Sequence, residues 1–200
     1  MKIVLATGNP GKVREFAELL AQSGHEVVPQ SDFQVPEADE TGLSFVENAI
    51  LKARNAATHT GLPAMADDSG IEVDALDGAP GIYSARYAGP NASAGDNNAK
   101  LLKAVREIPA SGRIARFRCV IAFLRHAEDP SPIIAEGSWE GMIAPGPAGE
   151  GGHGYDPIFL DAELGMTAAQ MSSDEKNRRS HRGQALRAFL ARLEALSGPN

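Results

Sequence analysis

The sequence predicts an α/β protein. Helix-period and strand-like segments alternate along the chain, which favours helices packed on a sheet over an all-helical or all-strand arrangement. With 42% apolar side chains, 200 residues are enough for one sizeable core, so a single domain over 1–200 is the starting expectation. The first 24 residues already show the unit that such folds repeat: a strand, a small-residue loop and a helix.

Residues 2–6 read as a buried strand, and Val13, Phe16, Leu19 and Leu20 recur at helical spacing until Gly24 stops the pattern. Residues 25–28 suggest a second strand. Residues 30–42 are polar and irregular, with Glu37, Asp39 and Glu40 making an acidic loop. Ser44 and Glu47 have capping-box spacing, and Ala49, Ile50, Ala53, Ala56 and Ala57 carry a helix to Gly61. The apolar run 62–66 ends at Asp67-Asp68-Ser69-Gly70, after which Ile71, Val73 and Ala75 alternate like a new strand. The two carboxylates are therefore expected at a junction between strands. A helix over about 96–107 points Leu101, Leu102 and Val105 inward. Residues 113–124 form a long strand with Ala115, Phe117, Cys119, Ile121 and Phe123 on one face and Arg116 and Arg118 on the other. Residues 133–143 supply the next hairpin. The glycine-rich stretch 146–159 is too long for a tight turn and too rich in glycine for a helix interior, so it is a loop with special backbone demands. Residues 172–175 make a short capped turn, and from Ser180 a last helix carries Leu186, Phe189, Leu190 and Leu193 on one face.

The balance of 26 acidic against 19 basic residues, net −7, argues against broad affinity for nucleic acid or anionic membranes. A single cysteine, Cys119, excludes an intrachain disulfide and a cysteine-built zinc site. The opening apolar run is too short for a signal-peptide core, and no later stretch is long enough to span a bilayer, which points to a soluble, cytoplasmic protein.

Three stretches carry chemistry. ATGNPGK, residues 6–12, lacks the four-residue spacing and the hydroxyl of a Walker loop. A strand-to-helix loop nevertheless directs N–H groups at an anion, and Thr7, Asn9 and Lys12 can add a hydroxyl, an amide and a charge. Taken alone, the stretch reads more simply as a plain strand–helix turn with a surface lysine. Asp67-Asp68-Ser69-Gly70 reads as a turn or as a metal site in which Glu40 supplies a second carboxylate, since magnesium is held by one or two carboxylates plus phosphate oxygens. Lys176, Arg178, Arg179, His181 and Arg182 form the one concentrated basic run. Of it, Ser180 to Arg182 lie at a helix start, where the dipole disfavours cations by roughly 0.3–1 kcal/mol, so an anionic or oxygen-rich group should compensate there. A nucleic-acid-binding role for this run is the main rival reading, and the net charge speaks against it.

ATGNPGK, ETG at 40, ADDSG at 66, PGIYSARYAG at 80, GHGYDPIF at 152 and SHRGQAL at 180 occur together and in order. Together they resemble the inosine triphosphate pyrophosphatase family, which hydrolyses ITP, dITP and XTP to the monophosphate and pyrophosphate. The resemblance spans nearly the whole chain. It implies a central, elongated mixed sheet flanked by helices, two lobes with the active site in the cleft between them, and a homodimer. It also implies Mg²⁺ as cofactor and a small nucleoside triphosphate as the ligand. Carried over by motif, Thr7, Gly8, Asn9, Pro10, Gly11 and Lys12 receive the triphosphate with Lys176 nearby. Glu40 and Asp68 match the magnesium carboxylates, Asp68 also the general base, and Ser69 a substrate contact. His153, Gly154, Tyr155 and Asp156, with His181 and Arg182, match the base pocket. Where the family's GFGYD or GFGWD motif usually has a phenylalanine stacking on the purine, this chain has His153, whose imidazole offers less apolar area. Lys12 would neutralise phosphate charge and Asp68 orient or deprotonate the attacking water, with adjacent Asp67 able to share either role.

Overall fold

The computed structural model describes residues 1–21 and 24–197, apart from the side chains of Pro10, Glu15, Glu18, Leu19, Ala21, Leu196 and Ser197. The expected packing of Leu19 and any side-chain role of Pro10 thus lie outside the described residues. Seven strands, β1 (Lys2–Leu5), β2 (Glu26–Pro29), β3 (Ala64–Val73), β4 (Ile114–Leu124), β5 (Ile133–Ile143), β6 (Phe159–Asp161) and β7 (Met166–Thr167), form one sheet in the order β2-β1-β3-β4-β5-β6-β7. The sheet is mixed. β1 runs parallel to β2, with Lys2 opposite Glu26, and to β3, with Leu5 opposite Met65, whereas β6 is antiparallel to β5 and β7. Among the described residues five helices flank it: α1 (Pro10–Ala21), α2 (Phe45–Thr60), α3 (Ala94–Ala104), α4 (Ser173–Arg179) and α5 (His181–Ser197). No described helix is long and apolar enough to cross a membrane.

The chain divides into two compact units, one of Met1–Asp68, Cys119–Gly137 and Gln184–Asn200, the other of Ser69–Arg118 and Ser138–Gly183. In the first, Phe16 and Leu20 of α1 and Leu186, Phe189 and Leu193 of α5 close over Ile3, Leu5, Met65, Ile121 and Phe123 of the sheet. In the second, Leu101 of α3 and Val105 just beyond it pack with Ile71, Val73, Phe117, Trp139, Tyr155 and Phe159. Each large side chain buried this way stabilises the fold by roughly 1.5–3 kcal/mol.

The helix ends follow the sequence closely. Ser44 accepts the Glu47 N–H and donates its hydroxyl to the Glu47 carboxylate at 2.6 Å, and Gly61 closes α2 at φ 66°. A cap of this kind is worth about 1 kcal/mol. Ser93 and Asp96 form a full capping box that starts α3 at Ala94, slightly before the expected 96. Arg116 and Arg118 lie on the face opposite Phe117, as their alternation requires, and meet Asp74, Glu140 and Glu72.

Four expectations are corrected. The 67–70 stretch is not a junction: β3 runs unbroken through Asp67, Asp68, Ser69 and Gly70. Asp and Gly are poor strand formers, yet here tertiary partners override propensity. Ala75, expected to continue the alternation, lies instead in a 3-10 turn over Asp74–Leu76. The capped turn at 172–175 opens α4, a full two-turn helix, with Ser172 as its cap. Finally, the polar segment after β2 begins with a 3-10 turn, Gln30–Phe33. Residues 133–143 form one eleven-residue strand neighbouring β4.

Candidate active site

The loop after β1 is organised by its own side chains. Asn9 donates its N–H to the Thr7 hydroxyl, while the Asn9 amide oxygen accepts from the N–H groups of Gly11 at 2.8 Å and Lys12 at 3.3 Å. Asn9 is therefore the cap of α1, and the expectation that these N–H groups point free at an anion needs correcting. What the loop can offer a phosphate is the Asn9 amide Nδ2, the Thr7 hydroxyl and, chiefly, Lys12. Gly8 is a close-approach glycine: a Cβ there would sit 2.9 Å from Oε1 of Glu37. The acidic loop thus folds back over the anion loop, which its sequence position did not signal.

Because β3 is extended, Asp67 and Asp68 point to opposite faces, and each meets a different lysine. Lys12 Nζ lies 2.6 Å from Asp67 Oδ2, and the Asp67 side chain is fully buried. Lys52 Nζ lies 2.8 Å from Asp68 Oδ1 and 2.9 Å from Glu40 Oε1. Asn48, buried one turn before Lys52 on α2, donates to Asp68 Oδ2 at 3.5 Å and accepts the Gly42 N–H at 2.9 Å. Gly42 has no room for a side chain, since a Cβ would stand 2.6 Å from that of Glu47. ETG is thereby clamped to the head of α2, and Glu40 and Asp68 converge on one ammonium. Burial pushes the Asp68 carboxyl above its ordinary value; Lys52 opposes this and Glu40 and Asp67 reinforce it. Burial pulls the Lys52 ammonium down, but Asp68, Asp67 and Glu40 outweigh it and leave it raised.

The sequence missed Lys52, Asn48 and Glu37. A signal for the first two existed: Asn48 and Lys52 are four apart on an alanine-rich helix, a polar stripe on the same face. The donors around Asp68 are hard carboxylate oxygens, the set that suits magnesium. Among the described residues no three His, Cys, Asp or Glu side chains group tightly enough to hold a metal by themselves.

In the second unit the glycine loop curls around Asp156, which is 3% exposed. Asp156 Oδ2 accepts from the His153 N–H at 2.6 Å and lies 2.5 Å from Lys176 Nζ. Gly152, at φ 75°, passes so close that an added Cβ would be 2.8 Å from the Asp156 Cγ. Asn98 donates to the Gly154 carbonyl at 3.0 Å, and the buried Tyr155 hydroxyl donates to the Ser84 carbonyl at 2.7 Å. Burial raises the Tyr155 phenol, which stays a neutral donor. The His153 ring is two-thirds exposed, with Nδ1 3.8 Å from Asp156 Oδ2. The His181 ring is buried and stacks on Phe117 with centroids 4.7 Å apart. Arg182 is also buried, at the start of α5.

Five of the predicted site residues are thus joined to partners: Lys12 to Asp67, Glu40 and Asp68 to each other through Lys52, and Asp156 to Lys176. Ser69 follows Asp68 directly along β3. Lys176, expected near the triphosphate, meets Asp156 of the glycine loop. Of the basic run, His181 and Arg182 open α5 as expected, while Lys176, Arg178 and Arg179 occupy the last turn of α4, where the dipole favours cations. Asp156, Asp161, Glu163 and Glu175 are the carboxylates that Lys176, Arg178 and Arg179 meet.

Residues 3–192 match the Ham1 family. The chain is 72% identical over 194 residues to a dITP/XTP pyrophosphatase of Thioalkalivibrio sulfidiphilus, which covers 97% of this chain and 99% of that protein. It is 61% identical to a dITP/XTP pyrophosphatase of Pectobacterium atrosepticum, over 96% of this chain and 98% of the other. Among solved structures, a HAM1 protein from Coxiella burnetii superposes with a TM-score of 0.93 at 49% identity, covering 98% of this chain and 99% of its own. The resemblance drawn from six ordered motifs is borne out: the chain belongs to the Ham1 family.

Proposed function

We propose that the protein is a Mg²⁺-dependent pyrophosphatase that cleaves dITP, XTP and ITP between the α- and β-phosphates, releasing the monophosphate and pyrophosphate. The observation that carries this is the pair of lysine–aspartate contacts built on mid-strand β3, Lys12–Asp67 and Lys52–Asp68–Glu40, in a chain whose relatives are named dITP/XTP pyrophosphatases. Two buried carboxylates in the middle of a strand add nothing to a sheet; their place is explained by chemistry at that point.

Thr7, Gly8, Asn9, Pro10, Gly11 and Lys12 receive the triphosphate, with the Lys12 ammonium drawn from Asp67 to the phosphate oxygens. Asp68 orients a water and takes its proton as the water oxygen bonds to the α-phosphorus, while the bond from that phosphorus to the bridging oxygen breaks and the electron pair leaves with pyrophosphate. Lys52 holds Asp68 ionised and in place, and Ser69 contacts the substrate beside it. A magnesium ion held by Glu40 and Asp68 would, when bound, neutralise charge on the phosphate oxygens. Glu37 lies against Gly8, beside the loop that receives the triphosphate in this reading.

His153, Gly154, Tyr155 and Asp156, with Lys176, His181 and Arg182, read the base. Asp156 Oδ2 is engaged by the loop and Lys176, but a carboxylate has about four lone-pair sites, and Oδ1 can accept the N1–H of a 6-oxopurine. His181 or Arg182 donates to O6. Adenine offers a bare N1 and a 6-amino donor, so it leaves both protein groups unpaired, and discrimination should reach roughly a thousandfold or more. The enzyme acts in this reading as a cytoplasmic homodimer, each chain a single catalytic domain. The test is kcat/KM for dITP and XTP against dATP, in the parent and in Asp156→Asn. The reading expects a large ratio that narrows in the variant; equal values for all three triphosphates in the parent would refute it.

A further inference from the structure

Helix α4 (Ser173–Arg179) has only two turns and buries none of its residues, so neither intrinsic helicity nor an apolar face fixes where it lies. Two cations three residues apart tie it down. Lys176 Nζ meets Asp156 Oδ2 at 2.5 Å; Arg179 Nη1 meets Asp161 Oδ2 at 3.2 Å and Glu163 Oε2 at 2.8 Å, while its Nε meets Glu175 of its own helix at 2.8 Å. Positions three apart share a side of a helix, so both cations address the same stretch of chain, residues 156–163.

The Arg179 anchor is the rigid one. Asp161 is as buried as Asp156, and it accepts from the Trp139 indole N–H at 3.0 Å and from the backbone N–H groups of Glu163 and Leu164 at 3.0 and 3.1 Å. Trp139 is itself in the core of the second unit. The planar guanidinium presents its donors in a rigid fork, here spread over three carboxylates, whereas an ammonium is a point charge on a flexible stem. Lys176, by contrast, reaches Asp156 by a four-carbon stem that can take other rotamers once the helix under it shifts.

We propose that Arg179 is a positioning residue: docked on Asp161, it fixes α4 so that Lys176 is held against Asp156 in the base pocket. The link to the base pocket rests on the functional reading above; the docking itself does not. It also gives the basic run a role that phosphate or nucleic-acid binding would not, since its arginine is spent on the protein's own carboxylates.

Two measurements test it. The first needs no substrate: reductive methylation of the unliganded protein, with the rate at Lys176 followed by peptide mass spectrometry and Lys2 as the exposed control. Lys176 should react slowly in the parent and about tenfold faster in Arg179→Leu, the size of coupling found between neighbours in one network. A rate at Lys176 equal to the parent's overturns the proposal. If Arg179→Leu fails to fold, Arg179→Lys serves, with an expected rate between those two values and the same refutation. The second is kinetic. Arg179→Leu should raise KM for dITP on the order of tenfold with kcat within about twofold, and the rise should vanish in a Lys176→Ala background. An equal rise in both backgrounds would show that Arg179 acts on stability alone. Should the parent fail to cleave dITP, the functional reading falls, and the methylation rates still decide the docking.

Discussion

Replacing Lys52 by methionine removes one ammonium and keeps most of the volume, so it isolates the charge at the centre of the β3 cluster. At 2.8 Å and an effective dielectric of about 20, the gross attraction to Asp68 is ~6 kcal/mol. Desolvation of the two groups offsets several kcal/mol of that. Removing one partner of a buried pair nevertheless costs about 3–5 kcal/mol, because the other charge stays behind. Here the side chains are 17% and 11% exposed, so the low end, about 3 kcal/mol, applies. Glu40, 30% exposed, adds about 0–1 kcal/mol. For a chain of this size the melting temperature should fall by roughly 6–12 °C. The sign of the pH dependence follows from Asp68. Its folded pKa already lies above the ordinary value, burial being the main cause, and loss of Lys52 raises it further. An acid with a raised folded pKa costs stability when ionised, most above that pKa, and the cost fades as pH falls through it. Thermal denaturation of Lys52→Met and the parent at pH 8 and pH 5 checks both parts. A loss below about 1 kcal/mol at pH 8, or a penalty that grows toward pH 5, would refute the reasoning.

Asp68→Asn should abolish pyrophosphate release while the protein stays folded, with a lower melting temperature at pH 7 because the buried Lys52 ammonium loses its Asp68 partner; residual activity, or parent activity surviving excess EDTA, would count against the site. Asp129→Asn should cost about 1.5–3 kcal/mol at neutral pH, because the buried carboxylate accepts from the Arg125 guanidinium and from the N–H groups of Arg125 and Ser131. Those bonds to Arg125 hold its pKa well below the usual range against the effect of burial, so the stability is present above the unfolded value near 3.9 and is lost as pH falls through the folded one. Urea midpoints for the two proteins should therefore converge in strong acid. Gly152→Ala places a methyl against Asp156 at a positive φ, and steady-state kinetics should show a raised KM for dITP with an unaltered magnesium requirement; an unchanged KM would remove Asp156 from the base pocket.

Much of the fold was legible because it depends on local signals: the β1-loop-α1 unit, the Ser44 and Ser93 caps, and the alternation in β4 each lie within a few consecutive residues. The 67–70 stretch was misread for the converse reason. Asp-Asp-Ser-Gly has turn composition, and only Lys12, 55 residues away, and Lys52, 16 residues away, make it tolerable within a strand. Lys176 illustrates the same limit. Its charge was plain, but whether it faced a phosphate or an aspartate depended on the course of α4, which is set by Arg179 and Asp161 at 18 residues' separation. Asn9, expected to offer its amide to an anion, is seen capping α1, a duty that calls for the same residue type.

The central claim is that a water attacks the α-phosphorus of a 6-oxopurine triphosphate. Turnover of dITP in ¹⁸O-water with Mg²⁺, followed by mass spectrometry of both products, tests it most directly. The account predicts dIMP carrying one ¹⁸O and unlabelled pyrophosphate. Release of orthophosphate, or ¹⁸O in the pyrophosphate, would contradict it.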